Sequence, residues 1–479
     1  MATDMTPWET LGATLCFKSK DAQFWWDGTG RMFAKLIEHA GYSIEEQYRE
    51  LQFYALFVAP QLGPAPDESM PWQSLKTPDS TPIDFSWEWR SDKEAILRYA
   101  FEPIVAAGTH SNTLRSPTET WLKTLKSQNL IPGLDLEWYN HFVSMMVPPN
   151  IGHKGFGASF YKRTAPEYGT SVAVDVNKSG KAVKAYFWPS LNANALDIST
   201  LECVKRAIRA LPAEQLESLQ VESAFEFLDQ ATERWNLTTG LFSIDCLKPQ
   251  NARIKIYVSS PWISREFLLD VLTMGGRLPS PDEIAFSSLS ALWDTFLGDA
   301  PDRLPDDVMA KSTPGFYMTL GHGGAKSVKM YMSPQHWCAT DGEVLSRLRQ
   351  YFASQNQSDT LMNKYESAVR QTLGSALVDG RCGSHFYIGS EPSKGRPRMV
   401  TYMSPQTYLI ERGRMQQAPQ LPLAPSESSE EGEVAGVGPK ESLPPQSRKR
   451  KTTDSIEEMA FDKHARASHL NGRNQVPSV

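Results

Sequence analysis

No run of about 18 apolar residues occurs in this chain, so the sequence offers no segment suited to a membrane core. The opening residues, MATDMTPWETL, lack the basic and apolar regions of a secretory leader. Positive charge is also short: 49 Lys and Arg against 55 Asp and Glu leave a net charge of −6. That balance argues against a general polyanion-binding surface and against nucleic acid as a partner, so any anion site must arise from local placement of cations. Cysteine is scarce. Cys16, Cys203, Cys246, Cys338 and Cys382 are odd in number and widely spread, with no CxxC and no metal-ligand spacing. A disulfide framework is not expected, and a reducing compartment, the cytoplasm, is.

What the chain does have is bulk and a repeat. At 479 residues and 40% hydrophobic content it can bury a large core. The segments FWWDGTGRMFAKLIEHAGY (24–42) and SIEEQYRELQFYALFVAPQL (43–62) read as helices, the second opening on Ser43 and ending near Pro60. From about residue 80 the pattern becomes alternating runs in pairs, joined by turn-rich segments and followed by helical stretches. The hairpins run over 82–103, 171–189, 242–258, 315–334 and 384–405. Their second strands resemble one another: Lys184 and Tyr186 lead to Pro189, Lys255 and Tyr257 to Pro261, Lys329 and Tyr331 to Pro334, and Val400 and Tyr402 to Pro405. Arg98 stands before Pro103 at the offset of Lys184 before Pro189.

Five hairpins give ten antiparallel strands, and a sheet of that size avoids exposed edges by closing. The expected fold class is α+β: a ten-stranded antiparallel β-barrel surrounded by helices over residues 1–412. A disordered Pro/Ser/Glu-rich tail over 413–479 carries a short basic run at 447–451. In NARIKIYVSS (251–260), Ile254, Ile256 and Val258 would face the helices, while Arg253, Lys255 and Tyr257 face a lumen. An open sheet with one wet face is the alternative. The recurrence of Tyr at one strand position favours the lumen.

Converging in one cavity, Arg98, Lys184, Arg253, Lys255 and Lys329 would repel one another, and a diphosphate is the counter-anion that suits them. Tyr186, Tyr257, Tyr331 and Tyr402 would set π faces beside that anion site. Ionisation of an allylic diphosphate needs both features, because it releases an anion and leaves a carbocation that water would quench. Asp306-Asp307 lacks the third carboxylate of a DDxxD-type metal motif, so the lumen cations are read as replacing a metal.

The segments TPIDFSW, ILRYAFEPI, VKAYFWP, ARIKIYV, VKMYMSP and VTYMSP, with FWWDGTGRM and GYSIEEQY, resemble the fungal dimethylallyltryptophan synthase-type aromatic prenyltransferases from about residue 8 to 412. The resemblance implies the barrel of repeated αββα units known as the ABBA fold. It also implies metal-independent Friedel–Crafts transfer of a dimethylallyl group to an indole-containing metabolite, with dimethylallyl diphosphate as co-substrate and no cofactor. By position it assigns Arg98, Lys184, Arg253, Lys255 and Lys329 to the diphosphate, with Lys184 also catalytic, and the four tyrosines to the carbocation. Asp84 stands where indole-using members carry Glu, so it becomes the catalytic carboxylate that orients the acceptor, or else a rim group pairing with lumen cations. Family members often have Gln at Lys329 and Tyr at Arg398; Arg398 aligns with Arg253 and joins the diphosphate set.

A fused phenolic polyketide as acceptor, and a non-catalytic barrel binding an anionic ligand, are the alternatives. The expected partners are a small aromatic acceptor and an allylic diphosphate, with a homodimer as the assembly to test. His336-Trp337-Cys338 is too compact for a zinc site and reads as loop packing. The glycines of 151–159 lack the strand and helix of a dinucleotide fingerprint.

Overall fold

The computed structural model describes residues 5–65, 74, 76–90, 94–104, 115–148, 169–177, 180–298, 300–305, 314–393 and 397–408. The tail over 413–479 with its basic run, the stretch 151–159 and Asp306-Asp307 lie outside the described residues. Ten antiparallel strands form a closed barrel. They are β1 (Ile83–Trp89), β2 (Ala95–Phe101), β3 (Thr170–Asn177), β4 (Gly180–Phe187), β5 (Thr238–Asp245), β6 (Ile254–Ser259), β7 (Gly315–Gly321), β8 (Gly324–Met332), β9 (His385–Glu391) and β10 (Arg398–Met403). Each strand pairs with its neighbours in the chain, and β1 against β10 shuts the ring, with Phe85 opposite Met403 and Trp89 opposite Met399. The hairpins fall where alternation and turn residues placed them. Between β7 and β8, Gly323 and Gly324 both adopt positive φ, a conformation that a tight turn asks of glycine.

Alternation sorts the side chains into two separate apolar clusters. Ile254, Ile256 and Val258 belong to the large cluster between barrel and helices, whereas Tyr257 packs on a small lumen cluster of Ala100, Ala173 and Tyr186. Outside the barrel the packing is aromatic: Phe85 stacks on Phe33 with centroids 5.9 Å apart, Trp87 meets Tyr365 at 5.2 Å, and Trp89 meets Phe352 at 4.6 Å. Each such pair adds about 0.5–1.5 kcal/mol beyond the burial of its area. The helix Asp341–Ser354 is tied to β9 by Asp341, whose carboxylate accepts from the backbone N–H of Ser384 (3.0 Å) and His385 (2.8 Å) and from His385 Nδ1 (2.8 Å). Among the described residues no helix is long and apolar enough to cross a membrane, and all five cysteines are free.

The two N-terminal helical segments are helical in type but not continuous. The first runs as Lys20–Trp25, a π-helical turn Trp26–Gly30, then Arg31–His39; the second as Ile44–Phe53, a π-helical turn Tyr54–Val58 and a 3₁₀ turn Ala59–Gln61. The Ser43 cap forms as expected, exchanging hydrogen bonds with Glu46. One residue links the two interruptions. Thr29 donates its hydroxyl to the Trp25 carbonyl (2.5 Å) and accepts from the Tyr54 hydroxyl (2.7 Å), so side chains of the two wide turns bond to each other.

Candidate active site

The even-numbered strands all run one way round the barrel, so a sequence order shared by several of them becomes a layer. Lys184 precedes Tyr186 on β4, Lys255 precedes Tyr257 on β6, and Lys329 precedes Tyr331 on β8; on β10 Arg398 precedes Tyr402. Cations therefore form one level of the lumen and tyrosines the next. A cavity of about 470 Å³ occupies the cationic level, and Arg98, Lys184, Arg253, Lys255, Lys329 and Arg398 all line it. The six cations singled out in the sequence thus converge. Lys184, Lys255 and Lys329 are buried there.

Sequence reasoning missed the carboxylates among them. Asp175 accepts from both Arg98 and Lys184. Asp245 accepts from Arg253 Nε at 2.7 Å and lies 3.6 Å from Lys184 Nζ. Arg398 is gripped by Glu88 (2.6 Å) and Glu391 (2.9 Å). The cluster is therefore tolerable without an added anion, which corrects the expectation that the cations repel one another until a diphosphate balances them. Burial alone would raise the Asp175 and Asp245 carboxyls; neighbouring cations, Arg98 and Lys184 for the first and Lys255 and Lys184 for the second, hold both below the usual range. Lys255 and Lys329 make no ion pair among the described residues; Lys255 Nζ lies 5.3 Å from the Tyr317 ring centroid. Burial, reinforced by the charge of Lys184, pushes Lys255 down to about 7. Burial likewise lowers Lys329 to about 8, against the pull of Glu391 and Glu88.

The tyrosine level contains more rings than the second strands supply. Tyr257 lies 6.2 Å from Tyr186, 4.9 Å from Tyr317 and 6.4 Å from Tyr331; Tyr331 lies 5.7 Å from Tyr402 and 5.8 Å from Tyr387. Burial pushes the Tyr402 phenol up to about 12 and the Tyr186, Tyr257, Tyr317 and Tyr331 phenols higher still. These rings stay neutral, offering π faces and no charge. Gly389 makes room for them: a Cβ there would come within 3.0 Å of Lys329, 3.1 Å of Tyr331 and 3.3 Å of Tyr402. Tyr317, Tyr387, Asp175 and Asp245 all sit on the first strands of hairpins, so extending the alternation to those strands would have found them.

Asp84, Ser86 and Glu88 alternate along β1 as expected, from the far end of the lumen to the cationic level. Asp84 is buried and pairs with Lys76 Nζ at 3.0 Å; that ammonium lies 5.3 Å from the Tyr186 centroid. Burial raises the Asp84 carboxyl, and the charges of Lys76 and Arg98 oppose it. Lys76 stands in an aperiodic loop with no sequence signal to mark it. Elsewhere, Cys338 is buried with its thiol pushed up to about 12 by burial, which suits packing better than nucleophilic work.

The family model described as tryptophan dimethylallyltransferase matches residues 21–368. The chain belongs to the tryptophan dimethylallyltransferase family. As a member it is an aromatic prenyltransferase. A 4-O-dimethylallyl-L-tyrosine synthase of Claviceps purpurea is 28% identical, covering 83% of this chain and 90% of the relative. Tryptophan dimethylallyltransferase 1 of Epichloe coenophiala is 27% identical over 83% of this chain and 92% of its own. The crystal structure of AnaPT from Neosartorya fischeri superposes with a TM-score of 0.70 at 19% identity, covering 84% of this chain and 98% of that one, so the two share the barrel fold.

Proposed function

We propose that this tryptophan dimethylallyltransferase family member transfers the allyl group of dimethylallyl diphosphate to the ring of an indole-containing metabolite, without a metal ion. The observation that carries the reading is the stacking of a cationic level directly on a tyrosine level within one closed lumen. Arg98, Lys184, Arg253, Lys255, Lys329 and Arg398 hold the diphosphate, and the allylic C–O bond breaks with its electron pair leaving on that anion. Tyr186, Tyr257, Tyr331 and Tyr402 shield the allyl cation with their π faces, and the barrel wall keeps water from it. Asp84 accepts a hydrogen bond from the indole N–H. The ring attacks the cation to form the new C–C bond, and the ring proton passes to an oxygen of the departed diphosphate, which restores aromaticity. The six cations supply the charge that a divalent metal would otherwise bring to the leaving group.

Relatives named for tryptophan and for tyrosine present an N–H and an O–H respectively, so the acceptor panel should hold both. Incubation of the protein with dimethylallyl diphosphate, indoles and phenols in EDTA should give products heavier by one prenyl unit and stoichiometric diphosphate. Binding of the diphosphate with no turnover on any aromatic acceptor would instead favour an anion-binding barrel. The free cysteines accord with a cytoplasmic enzyme. Sedimentation of the full chain tests the homodimer.

A further inference from the structure

The five hairpins all turn at the same end of the barrel, because every odd-numbered strand runs toward its even-numbered partner. Arg253 and Arg398 stand at the start of β6 and β10, at that end, while Asp84 lies near the start of β1, at the other. Exposure changes along the same axis. The side chains of Arg253, Arg398 and Arg90 are 50%, 41% and 41% exposed, against 4% for Lys184 and 6% for Asp84. The lumen is therefore wet at its turn end and dry at depth. Two cations in the wet zone have no part in the donor site described above: Arg90, and Lys326 on β8, both of which line the cavity. A Cβ at Gly321 would meet Arg253 Cγ at 3.5 Å and Lys326 Cε at 3.7 Å, so the bare glycine lets these two side chains lie alongside each other. Eight cations and three carboxylates line the cavity, on a chain whose net charge is −6. The excess positive charge is concentrated at one mouth of an acidic protein.

We propose that Arg90 and Lys326 join Arg253 and Arg398 in an outer row of cations at the turn end, which draws the allylic diphosphate from solvent and delivers it to the buried lysines. The inference rests on the prenyl-transfer reading above and adds the path by which the donor arrives. A cleft of one sign with low-dielectric walls focuses its field, and such focusing raises association rates for an opposite charge by about 10–10³-fold. The attraction reaches only about 8 Å at physiological ionic strength, so charges at the mouth guide an arriving anion and charges elsewhere on the surface do not. The outer row and the buried lysines share carboxylates. Asp245 accepts from Arg253 Nε at 2.7 Å and lies 3.6 Å from Lys184 Nζ. Glu88 holds Arg398 at 2.6 Å and Arg90 at 3.0 Å, and its charge also acts on Lys329. A diphosphate moving inward takes over the lysine side of each carboxylate as the arginine side closes again behind it, so no charge along the path is left unpaired.

The test is stopped-flow association of inorganic diphosphate with the full-length protein, followed by intrinsic fluorescence. Arg90→Glu combined with Lys326→Glu should associate at least about tenfold more slowly than wild type at about 0.01 M salt, and the gap should close at about 1 M, where screening reaches within roughly 3 Å. Arg90→Lys combined with Lys326→Arg should keep the wild-type rate. Lys123→Glu combined with Arg265→Glu makes the same change in net charge on exposed helices and should stay within about twofold of wild type. Thermal melting confirms folding, and Lys326→Glu alone, which leaves the Glu88 contacts intact, should show a smaller loss with the same salt dependence. Equal slowing in the helix variant would assign the effect to net charge and overturn the outer row. A loss in the mouth variant that persists at 1 M salt would overturn it too, because a damaged inner site gives that result. Wild type that binds inorganic diphosphate at a rate indifferent to salt would sink the outer row alone. Wild type that binds no diphosphate would sink the donor site of the prenyl-transfer reading itself.

Discussion

Asp175 accepts a hydrogen bond from Lys184 across the lumen face of β3 and β4, and its other oxygen accepts from Arg98. The cationic level is therefore balanced internally, and a diphosphate bound there would compete with a resident carboxylate for both cations. Asp175→Asn should bind inorganic diphosphate about tenfold more tightly, worth about 1.4 kcal/mol, and should release it more slowly. Calorimetric titration checks the affinity, and a burst in product formation checks the release. Weaker binding would mean that Asp175 orients the cations more than it competes for them.

Lys255 and Lys329 titrate near 7 and 8 because burial disfavours their charged forms, with Lys184 adding to the effect at Lys255. A bound diphosphate favours the charged forms and raises both. Between pH 7 and 9 the free protein has lost protons that the complex keeps, so binding takes up protons and the affinity for diphosphate falls as pH rises. Titration in buffers of different ionisation heat should read an uptake of about 1.4 protons near pH 8, about 0.9 from Lys255 and about 0.5 from Lys329. Uptake of zero would place both ammonium groups fully charged in the empty site.

Lys184→Ala or Lys255→Ala removes one preorganised charge from the leaving group and should lower kcat about 10²-fold, the scale seen when one oxyanion donor is lost. Steady-state kinetics at pH 7 decide it. Unchanged kcat in both variants would move the diphosphate elsewhere.

Tyr257 packs between Tyr186 and Tyr317, with ring centroids 6.2 Å and 4.9 Å away. Tyr257→Phe keeps the π face and should lose less than about threefold in kcat/KM. Tyr257→Ala should lose roughly 10-fold, a cation–π contribution of about 1–2 kcal/mol, and should divert dimethylallyl diphosphate to dimethylallyl alcohol. Equal losses would assign the role to the hydroxyl.

Gly389→Ala sets a methyl group against Lys329, Tyr331 and Tyr402 at once. Overpacking of this kind costs about 1–3 kcal/mol. The expected result is a lower melting temperature with a higher KM for dimethylallyl diphosphate, measured side by side. A melting change with no KM change would separate Gly389 from the donor site.

Much of the barrel was legible because a strand with one buried face announces itself by alternation, and the second strand of each hairpin repeats the same Lys and Tyr order. Arg253, Lys255 and Tyr257 fell on the lumen face for that reason alone. Asp175 and Asp245 obey the same alternation, but they stand on first strands, which lack the shared Lys and Tyr order. Lys76 was not legible at all: it lies in a loop whose path, and so its meeting with Asp84, is set by contacts distant in sequence. The π-helical turns at Trp26–Gly30 and Tyr54–Val58 likewise depend on a Thr29–Tyr54 bond that no local pattern encodes.

The seam between β1 and β10 brings Arg398 to Glu88, 310 residues earlier in the chain. Until the last strand has emerged from the ribosome, the growing polypeptide has no sealed chamber and so no means of generating a free carbocation beside its own unprotected nucleophiles. Emergence of β10 (Arg398–Met403) is thereby the safety catch on the reaction.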